Sequence, residues 1–197
     1  MRRARLVGIV VTLLILAIGP TQALALLPGI GVKAGVNAAN VDLDNTSNKT
    51  GFVGGAFADV PMLPLRVELL YSQKGFQDGT INGATGWETS YTFIDVPVVF
   101  ILKIPLVAVT PFGYVGLNAG FLTDAKSKSS DTNNNWVDIK ADNPDIVWGV
   151  PIGVGIGFGS LHADLRYTYG LTSMTDPEQN QSYKERTWSL MVGWALF

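Results

Sequence analysis

The chain of 197 residues carries 14 basic and 16 acidic side chains and no cysteine, and 47% of its residues are hydrophobic. The acidic balance argues against a nucleic acid as partner. The lack of cysteine excludes a disulfide-stabilised miniprotein and a lipid-anchored lipoprotein.

The N-terminal segment has the three parts of a secretory signal peptide. Arg2, Arg3 and Arg5 form a positive region, residues 6–19 are an uncharged apolar run, and residues 23–25 (Ala-Leu-Ala) offer small residues for cleavage. The run is shorter than the roughly 20 residues of a membrane-spanning helix. We therefore expect a signal peptide at residues 1–25 and one domain at residues 26–197. This domain contains 16 acidic and 11 basic residues, which gives it a formal charge of −5.

Eight stretches of strand-like composition follow, and the connections between them alternate between long and short. The predicted strands are residues 29–41, 51–60, 65–75, 88–104, 110–122, 145–158, 161–171 and 185–197. The long connections are rich in Asn, Asp, Ser, Thr and Gly, including a polar tract at residues 126–135 that is expected to be mobile. Long loops on one side and tight turns on the other are typical of outer-membrane barrels.

The two faces of the predicted strands differ in kind. In the third strand Leu65, Val67, Leu69 and Tyr71 share one face, whereas Arg66, Glu68, Ser72 and Lys74 share the other. A soluble barrel of the lipocalin type would point its apolar face inward, but here charge shares a face with glycine and small residues. The sequence therefore predicts an all-β, eight-stranded antiparallel up-and-down transmembrane β-barrel with its apolar face toward lipid.

Charged residues on the inward face are expected to fill the lumen. The predicted charge network has five bases and four acids, namely Lys33, Asp59, Arg66, Glu68, Lys74, Asp95, Lys103, Asp164 and Arg166. Asp59 and Arg66 flank the turn at residues 61–64 symmetrically and are expected to pair, and Lys74 is expected near Asp95. This near balance of charge favours a plugged lumen over an ion-selective pore.

Aromatic residues on the apolar face are expected to form girdles at the two membrane surfaces. The predicted girdle contains Tyr71, Trp148, Tyr167, Tyr169 and Trp188 at the outer surface, and Trp194 with Phe158 at the periplasmic surface. Phe112 and Tyr114 are expected to face inward instead, where the glycines of the next strand leave room.

Five strings carry a family resemblance: residues 31–37, 68–75 (Glu-Leu-Leu-Tyr-Ser-Gln-Lys-Gly), 94–98, 120–122 and 166–172 (Arg-Tyr-Thr-Tyr-Gly-Leu-Thr). They resemble the outer-membrane β-barrel domain family, the small porin-like eight-stranded barrels of the Bacteroidetes type. The resemblance implies a barrel in the bacterial outer membrane and carries over no catalytic motif. That position implies outer-membrane lipid, lipopolysaccharide and the barrel assembly machinery as partners. Such barrels usually end on an outward aromatic, whereas here Leu196 is outward and Phe197 is out of register.

His162 is the only histidine, so a catalytic or metal site has one candidate centre. It lies on the inward face with Asp164 nearby, whereas a lipid hydrolase needs its catalytic pair to face lipid. We therefore expect a partnered interior histidine and no enzyme activity.

A second candidate is a faint calcium-loop spacing, in which Trp136 stands where the sharp turn needs glycine. Its residues are Asp131, Asn133, Asn135 and Asp138. We predict no catalytic, cofactor or metal site. The favoured hypothesis is a non-enzymatic structural or surface-interaction barrel that acts, and binds any surface ligand, through four extracellular loops. The alternatives are a small passive pore and, less favoured, a lipid-modifying enzyme.

Cleavage is predicted after Ala25, because small residues follow the apolar run at the proper distance. N-terminal sequencing of the membrane-extracted protein should begin at Leu26. Recovery of Met1 or Arg2 would instead make the segment a membrane anchor.

Overall fold

The computed structural model describes residues 29–41, 46–78, 88–128, 137–139, 144–176 and 181–196. The expected signal peptide, residues 129–135 of the polar tract and Phe197 lie outside these ranges. The regular elements within the described residues are all β-strands. None of the described segments forms a helix long and apolar enough to cross a membrane.

The strands form a closed antiparallel barrel. They are β1 (Gly29–Val41), β2 (Thr46–Asp59), β3 (Leu65–Asp78), β4 (Glu88–Lys103), β5 (Thr110–Lys128), β6 (Val137–Asp138), β7 (Ile146–Phe158), β8 (Leu161–Asp176) and β9 (Gln181–Ala195). All except β6 form the wall, in the circular order β1-β2-β3-β4-β5-β7-β8-β9, closed by the pairing of β1 with β9. The short β6 pairs only with the end of β5. The predicted eight-stranded barrel is confirmed, and closure leaves its wall without an edge strand.

The two ends of the barrel differ in the length of their connections. The short turns lie at the end where β1 begins and β9 ends, which we call the turn end; the long connections lie at the opposite loop end. At the turn end, Gly159 and Ser160 join β7 to β8, and Gly159 takes a left-handed φ of 56°. Met62, between β2 and β3, has a φ of 63°, a conformation that costs a residue other than glycine roughly 1–2 kcal/mol.

Several strands continue further toward the loop end than predicted. β2 begins at Thr46, β9 begins at Gln181, β5 ends at Lys128 and β8 ends at Asp176. The added residues are mostly polar and lack the alternation of large apolar side chains. Antiparallel backbone hydrogen bonds do not need that alternation, so the hairpins continue past the point where the sequence pattern stops. The start of the polar tract, predicted as loop, is therefore strand.

A β-bulge in β5 changes which residues face inward near the loop end. Phe93 pairs with Leu122, but Thr92 pairs with Asp124, so Thr123 is an extra residue. The Thr123 hydroxyl donates a hydrogen bond to the Thr92 carbonyl oxygen at 2.9 Å. Before the bulge the buried side chains of β5 fall on even positions, whereas beyond it the odd-numbered Ala125 is buried.

The outward wall is apolar, as the alternation of apolar and polar residues along the strands predicted. Val154, Leu165 and Leu190 expose 63%, 43% and 57% of their surface, while the residues on either side of each along its strand are buried or half-buried. An apolar wall around a polar interior is the reverse of a water-soluble barrel and fits contact with lipid. The assignment of the two faces is confirmed.

Four interior rings lie over glycines on the neighbouring strand. Each ring and its glycine are direct register partners: Phe57 with Gly31, Phe112 with Gly155, Tyr114 with Gly153, and His162 with Gly193. A Cβ atom added to any of these glycines would overlap the partner ring. The glycines therefore provide the space that the rings occupy in the narrow lumen.

We expect Gly155→Val to destabilise the barrel by on the order of 1–3 kcal/mol or more, because its side chain would overlap Phe112. Gly113→Val is the matched control, since a Cβ there approaches only the Gly153 carbonyl oxygen, at 3.7 Å. The measurement is the urea midpoint in detergent micelles. Equal midpoints for the two variants would contradict the packing.

Candidate functional site

A closed ring of polar contacts crosses the middle of the lumen, and we call it the central ring. Lys33 Nζ contacts Glu68 Oε1 at 3.2 Å and Asp164 Oδ1 at 3.0 Å. Arg166 Nη2 contacts Glu68 Oε2 at 2.7 Å, and its Nε donates to the Tyr114 hydroxyl oxygen at 3.0 Å. The Tyr114 hydroxyl donates to Asp164 Oδ2 at 2.6 Å, which completes the ring.

The central ring spans the whole cross-section of the barrel. Its residues come from β1, β3, β5 and β8, which are alternate strands in the circular order of the wall. Alternate strands bring inward side chains to the same level of a barrel interior. Two cations and two anions therefore meet in one buried and electrically neutral layer, with 1% exposure at the Glu68 side chain.

A second charged group lies at the turn end. Asp59 and Arg66 are register partners, and Arg66 Nε contacts Asp59 Oδ1 at 2.5 Å. Lys103 Nζ contacts the other carboxylate oxygen of Asp59 at 2.7 Å. The Arg66 guanidinium also stacks 4.1 Å from the centre of the Phe57 ring. Asp59 is thus shared between two cations, so it keeps one partner when either Arg66 or Lys103 is removed.

A third charged group lies toward the loop end, around Lys74. Its Nζ contacts Asp95 Oδ2 at 3.2 Å and Glu185 Oε1 at 3.3 Å. Asn118 donates from Nδ2 to Asp95 Oδ1 at 2.9 Å. The sequence analysis brought Lys74 and Asp95 together but missed Glu185. The sequence pattern could have identified Glu185, because its odd number places it on the same inward face of the last strand as Ser189.

These three groups contain the nine predicted charges and Glu185. Five bases and five acids therefore meet in the lumen groups, and their formal charges cancel. Between the central ring and the Lys74 group, neutral side chains continue the contacts: Asn37 donates to Ser72 Oγ at 2.9 Å and accepts from Ser189 Oγ at 2.7 Å.

An apolar cluster closes the lumen toward the loop end, and we call it the apolar cap. It contains Tyr91, Phe93, Leu122, Ala125, Val147 and Met174, with Ile139 packed against it from just beyond β6. The sequence analysis did not predict this cap, because the bulge at Thr123 changes the face of Ala125 and the strand extension carries Met174. The lumen is therefore polar in its middle and apolar toward the loop end.

Little free space remains between these layers. Two cavities near Lys74, Asp95 and Asn118 measure about 10 and 20 Å³, room for roughly one water each. Neither cavity is wide enough for a continuous aqueous path.

His162 is packed differently from the expected partnered histidine. Its ring meets the edges of Phe57 and Phe112, with centroids at 5.2 and 5.9 Å. Its Nε2 is buried and makes no hydrogen bond to a described residue. The histidine thus fills space among aromatic rings and faces the lumen, where it does not pair with Asp164.

The predicted girdle residues lie on the outward wall. Tyr71, Trp148, Trp188 and Trp194 expose 42%, 50%, 50% and 56% of their surface. Tyr167 packs against Trp188 with ring centroids 4.8 Å apart, and Tyr169 lies on the same outward face of β8. Trp194 is the register partner of Leu161 at the turn end, next to Phe158.

A sequence model of the outer membrane protein beta-barrel domain matches residues 27–176, which is more than half of the chain. The chain belongs to this family. The predicted resemblance and the predicted place in the bacterial outer membrane are confirmed. Because barrels of this membrane keep short turns in the periplasm, we expect the turn end to face the periplasm and the loop end to face outward.

The chain resembles solved structures, of which Neisserial surface protein A shares the fold. Neisserial surface protein A (NspA) is 13% identical, with a TM-score of 0.50 over 85% of this chain and 97% of that chain. Ail, the attachment invasion locus protein of Yersinia pestis, solved in complex with the heparin analogue sucrose octasulfate, is 17% identical, with a TM-score of 0.47 over 85% of this chain and 98% of that chain. No curated protein sequence matches the chain.

The described residues of this family member bring together no group of three His, Cys, Asp or Glu side chains that could hold a metal ion. Of the faint calcium-loop spacing, only Asp138 lies within the described residues, in β6. The charged groups of the lumen neutralise one another, and most of their side chains are buried.

Glu68→Gln should destabilise the barrel by roughly 3–5 kcal/mol, because Lys33 and Arg166 would then face each other with one acid fewer. The half-exposed Lys103 is the control, and Lys103→Gln should cost less than about 1 kcal/mol. The double change Glu68→Gln with Lys33→Gln restores neutrality and should cost less than Glu68→Gln alone. Urea midpoints in detergent micelles test the order, and equal losses for Glu68→Gln and Lys103→Gln would refute it.

Proposed function

We propose that the protein is a non-enzymatic outer-membrane barrel with a structural or surface-interaction role carried by its four extracellular loops. Residues 1–25 would be its export signal and residues 26–197 the mature barrel. The central ring is the observation that carries the proposal, because it fills the cross-section with side chains from alternate strands. A barrel filled in this way offers its outer loops, rather than its lumen, for function.

The alternative of a small passive pore is supported less well. A selective pore usually biases its lining toward one sign of charge, whereas the lumen groups pair five bases with five acids. The apolar cap adds a second obstacle, since an apolar constriction expels water and ions. Both layers would have to rearrange before ions could pass.

The alternative of a lipid-modifying enzyme lacks a suitable centre. His162 faces the lumen between Phe57 and Phe112, away from the lipid where such a substrate lies. An acyl-transfer site also needs a nucleophile within hydrogen-bond reach of its base, and His162 Nε2 contacts no described hydrogen-bond partner.

The partners that fit the proposal are those of the membrane and its surface. The outward aromatic residues at the loop end and at Trp194 would anchor the wall at the two lipid surfaces. Lipopolysaccharide and phospholipid would surround the wall, the barrel assembly machinery would insert it, and a surface ligand would meet the loops.

Conductance in a planar bilayer tests the proposal. We expect the purified wild-type barrel to give no stable channels. The triple change Glu68→Ala, Arg166→Ala and Phe93→Ala shortens side chains of both the central ring and the apolar cap, so it should raise the conductance. A shift in gel mobility on heating would show that both proteins are folded. Stable, ohmic, ion-selective channels from the wild type would overturn the plugged barrel and favour the pore.

A further inference from the structure

Two of the short turns at the turn end consist entirely of apolar residues, and we call them the apolar turns. Residues 60–64 (Val-Pro-Met-Leu-Pro) join β2 to β3, and residues 104–109 (Ile-Pro-Leu-Val-Ala-Val) join β4 to β5. Turns in water are usually built from Gly, Asn, Asp and Ser, as in the Gly159 and Ser160 turn between β7 and β8. The composition of the apolar turns is therefore unlike that of turns in water.

The side chains at the tips of the apolar turns are exposed. Met62 and Leu63 expose 92% and 56% of their surface, Leu106 exposes 57%, and Val107 is fully exposed. Removing apolar surface from water is worth about 25 cal/mol for each Å². The barrel itself does not cover these side chains, so an apolar environment around the turns would stabilise them.

On β4 the outward wall continues into its turn without an intervening charge. Phe100 and Leu102 lie on the outward face, and Ile104 continues the row into the turn with 62% exposure. Lys103, the charge nearest this turn on β4, lies on the opposite face and binds Asp59. The turn is therefore a continuation of the surface that contacts lipid.

The height of the wall places the first apolar turn at the edge of the hydrocarbon. On β3 the outward face is apolar from Leu65 to Tyr71 and becomes polar at Gln73. The step from residue 65 to residue 73 spans about 27 Å along the strand, and strand tilt reduces this to roughly 20 Å of height. The apolar band of an outer-membrane barrel is about 25 Å tall. Roughly 5 Å of the band therefore extends beyond Leu65, toward Leu63 and Met62.

The second apolar turn reaches farther from the middle of the wall. Phe100 is the register partner of Leu65, and β4 continues beyond it to Lys103 before the turn begins. The tip at Val107 therefore lies past the edge of the hydrocarbon. The headgroup layer there is about 5–7 Å thick, which is enough to contain this tip.

The backbone of the apolar turns suits an environment poor in water. Three prolines, Pro61, Pro64 and Pro105, have no N–H group to leave unpaired. Four further N–H groups donate to backbone carbonyl oxygens of the turn or the adjoining strand, namely those of Val60, Leu63, Ile104 and Leu106. An unpaired N–H group is costly away from water, so this bonding lowers the cost of insertion.

We propose that the apolar turns insert into the phospholipid interface on the periplasmic side of the outer membrane, with their side chains among the glycerol groups and upper acyl chains. Phospholipid is the occupant rather than a protein, because the turns continue the lipid-facing wall and have no charged or hydrogen-bonding side chain to orient a protein partner. The expected orientation of the barrel names the leaflet.

The depth of single fluorescent labels tests the insertion, since the chain has no cysteine of its own. Val107→Cys and Met62→Cys would be labelled in barrels reconstituted into vesicles of phosphatidylethanolamine and phosphatidylglycerol. We expect both labels at roughly 12–18 Å from the bilayer centre, so a nitroxide at the lipid headgroup should quench them more than one at the chain end. The controls are Val154→Cys on the wall, quenched most by the chain-end nitroxide, and the exposed Lys126→Cys at the loop end, quenched by aqueous iodide.

Two outcomes would overturn the proposal. If iodide quenches the labels at positions 62 and 107 as strongly as the label at position 126, the turns stand in water and are free to meet a periplasmic protein. If protection from iodide is lost when the protein is diluted in lipid, a second copy of the chain covers the turns. Should one labelled variant fail the gel-mobility test for folding, the other decides.

Stability in the same bilayers gives an independent measurement. Leu106→Ser with Val107→Ser should lower the equilibrium constant for folding about ten-fold, because the partial burial of two apolar side chains is lost. Ser160→Ala, at the exposed polar turn of the same end, is the matched control and should change the constant less than about two-fold. Equal constants for the double variant and the wild type would contradict insertion. Conductance should be unchanged in both variants, so the insertion and the proposed function fail separately.

Discussion

The structure depends on satisfying charge inside a closed wall. An eight-stranded barrel has an interior wide enough only for side chains, and burial of an unpaired ion there would cost several kcal/mol. The central ring meets this constraint because Lys33 and Arg166 face Glu68 and Asp164, with the Tyr114 hydroxyl joining Arg166 to Asp164. Strands that are not neighbours are thereby tied across the lumen, in addition to the backbone ladders around it.

The other interior layers follow from the position of that ring. The Asp59 group lies nearer the periplasm, where Lys103 is half-exposed and water can share the cost of its charge. The Lys74 group lies on the outer side and is covered by the apolar cap. Polar contacts thus hold the strands in register in the middle, and apolar packing closes the outer mouth. The proposed surface role would leave the central ring undisturbed, since all of its residues lie in the strands of the wall.

The sequence was sufficient for the class of fold because two-residue periodicity separates lipid-facing from lumen-facing residues. That separation predicted the strand count, the inward charges and the Asp59–Arg66 pair, which a short turn makes adjacent. It could not predict the ring through Tyr114, because contacts across the lumen depend on the shear of the barrel. The bulge at Thr123 also left no sign in the pattern. Polar strand ends resemble loops in sequence, so the analysis did not predict that β8 continues to Asp176 or that Met174 belongs to the apolar cap.

The paired rings and glycines have an evolutionary consequence. Tyr114 and Gly153 occupy one space between them, so neither can change size without the other. A smaller residue in place of Tyr114 would leave a cavity, because Gly153 has no side chain to fill it. A larger residue in place of Gly153 would overlap the Tyr114 ring. Relatives that lose the ring should therefore gain a side chain on the adjacent strand, and the two positions should covary across the family although they lie far apart in the chain.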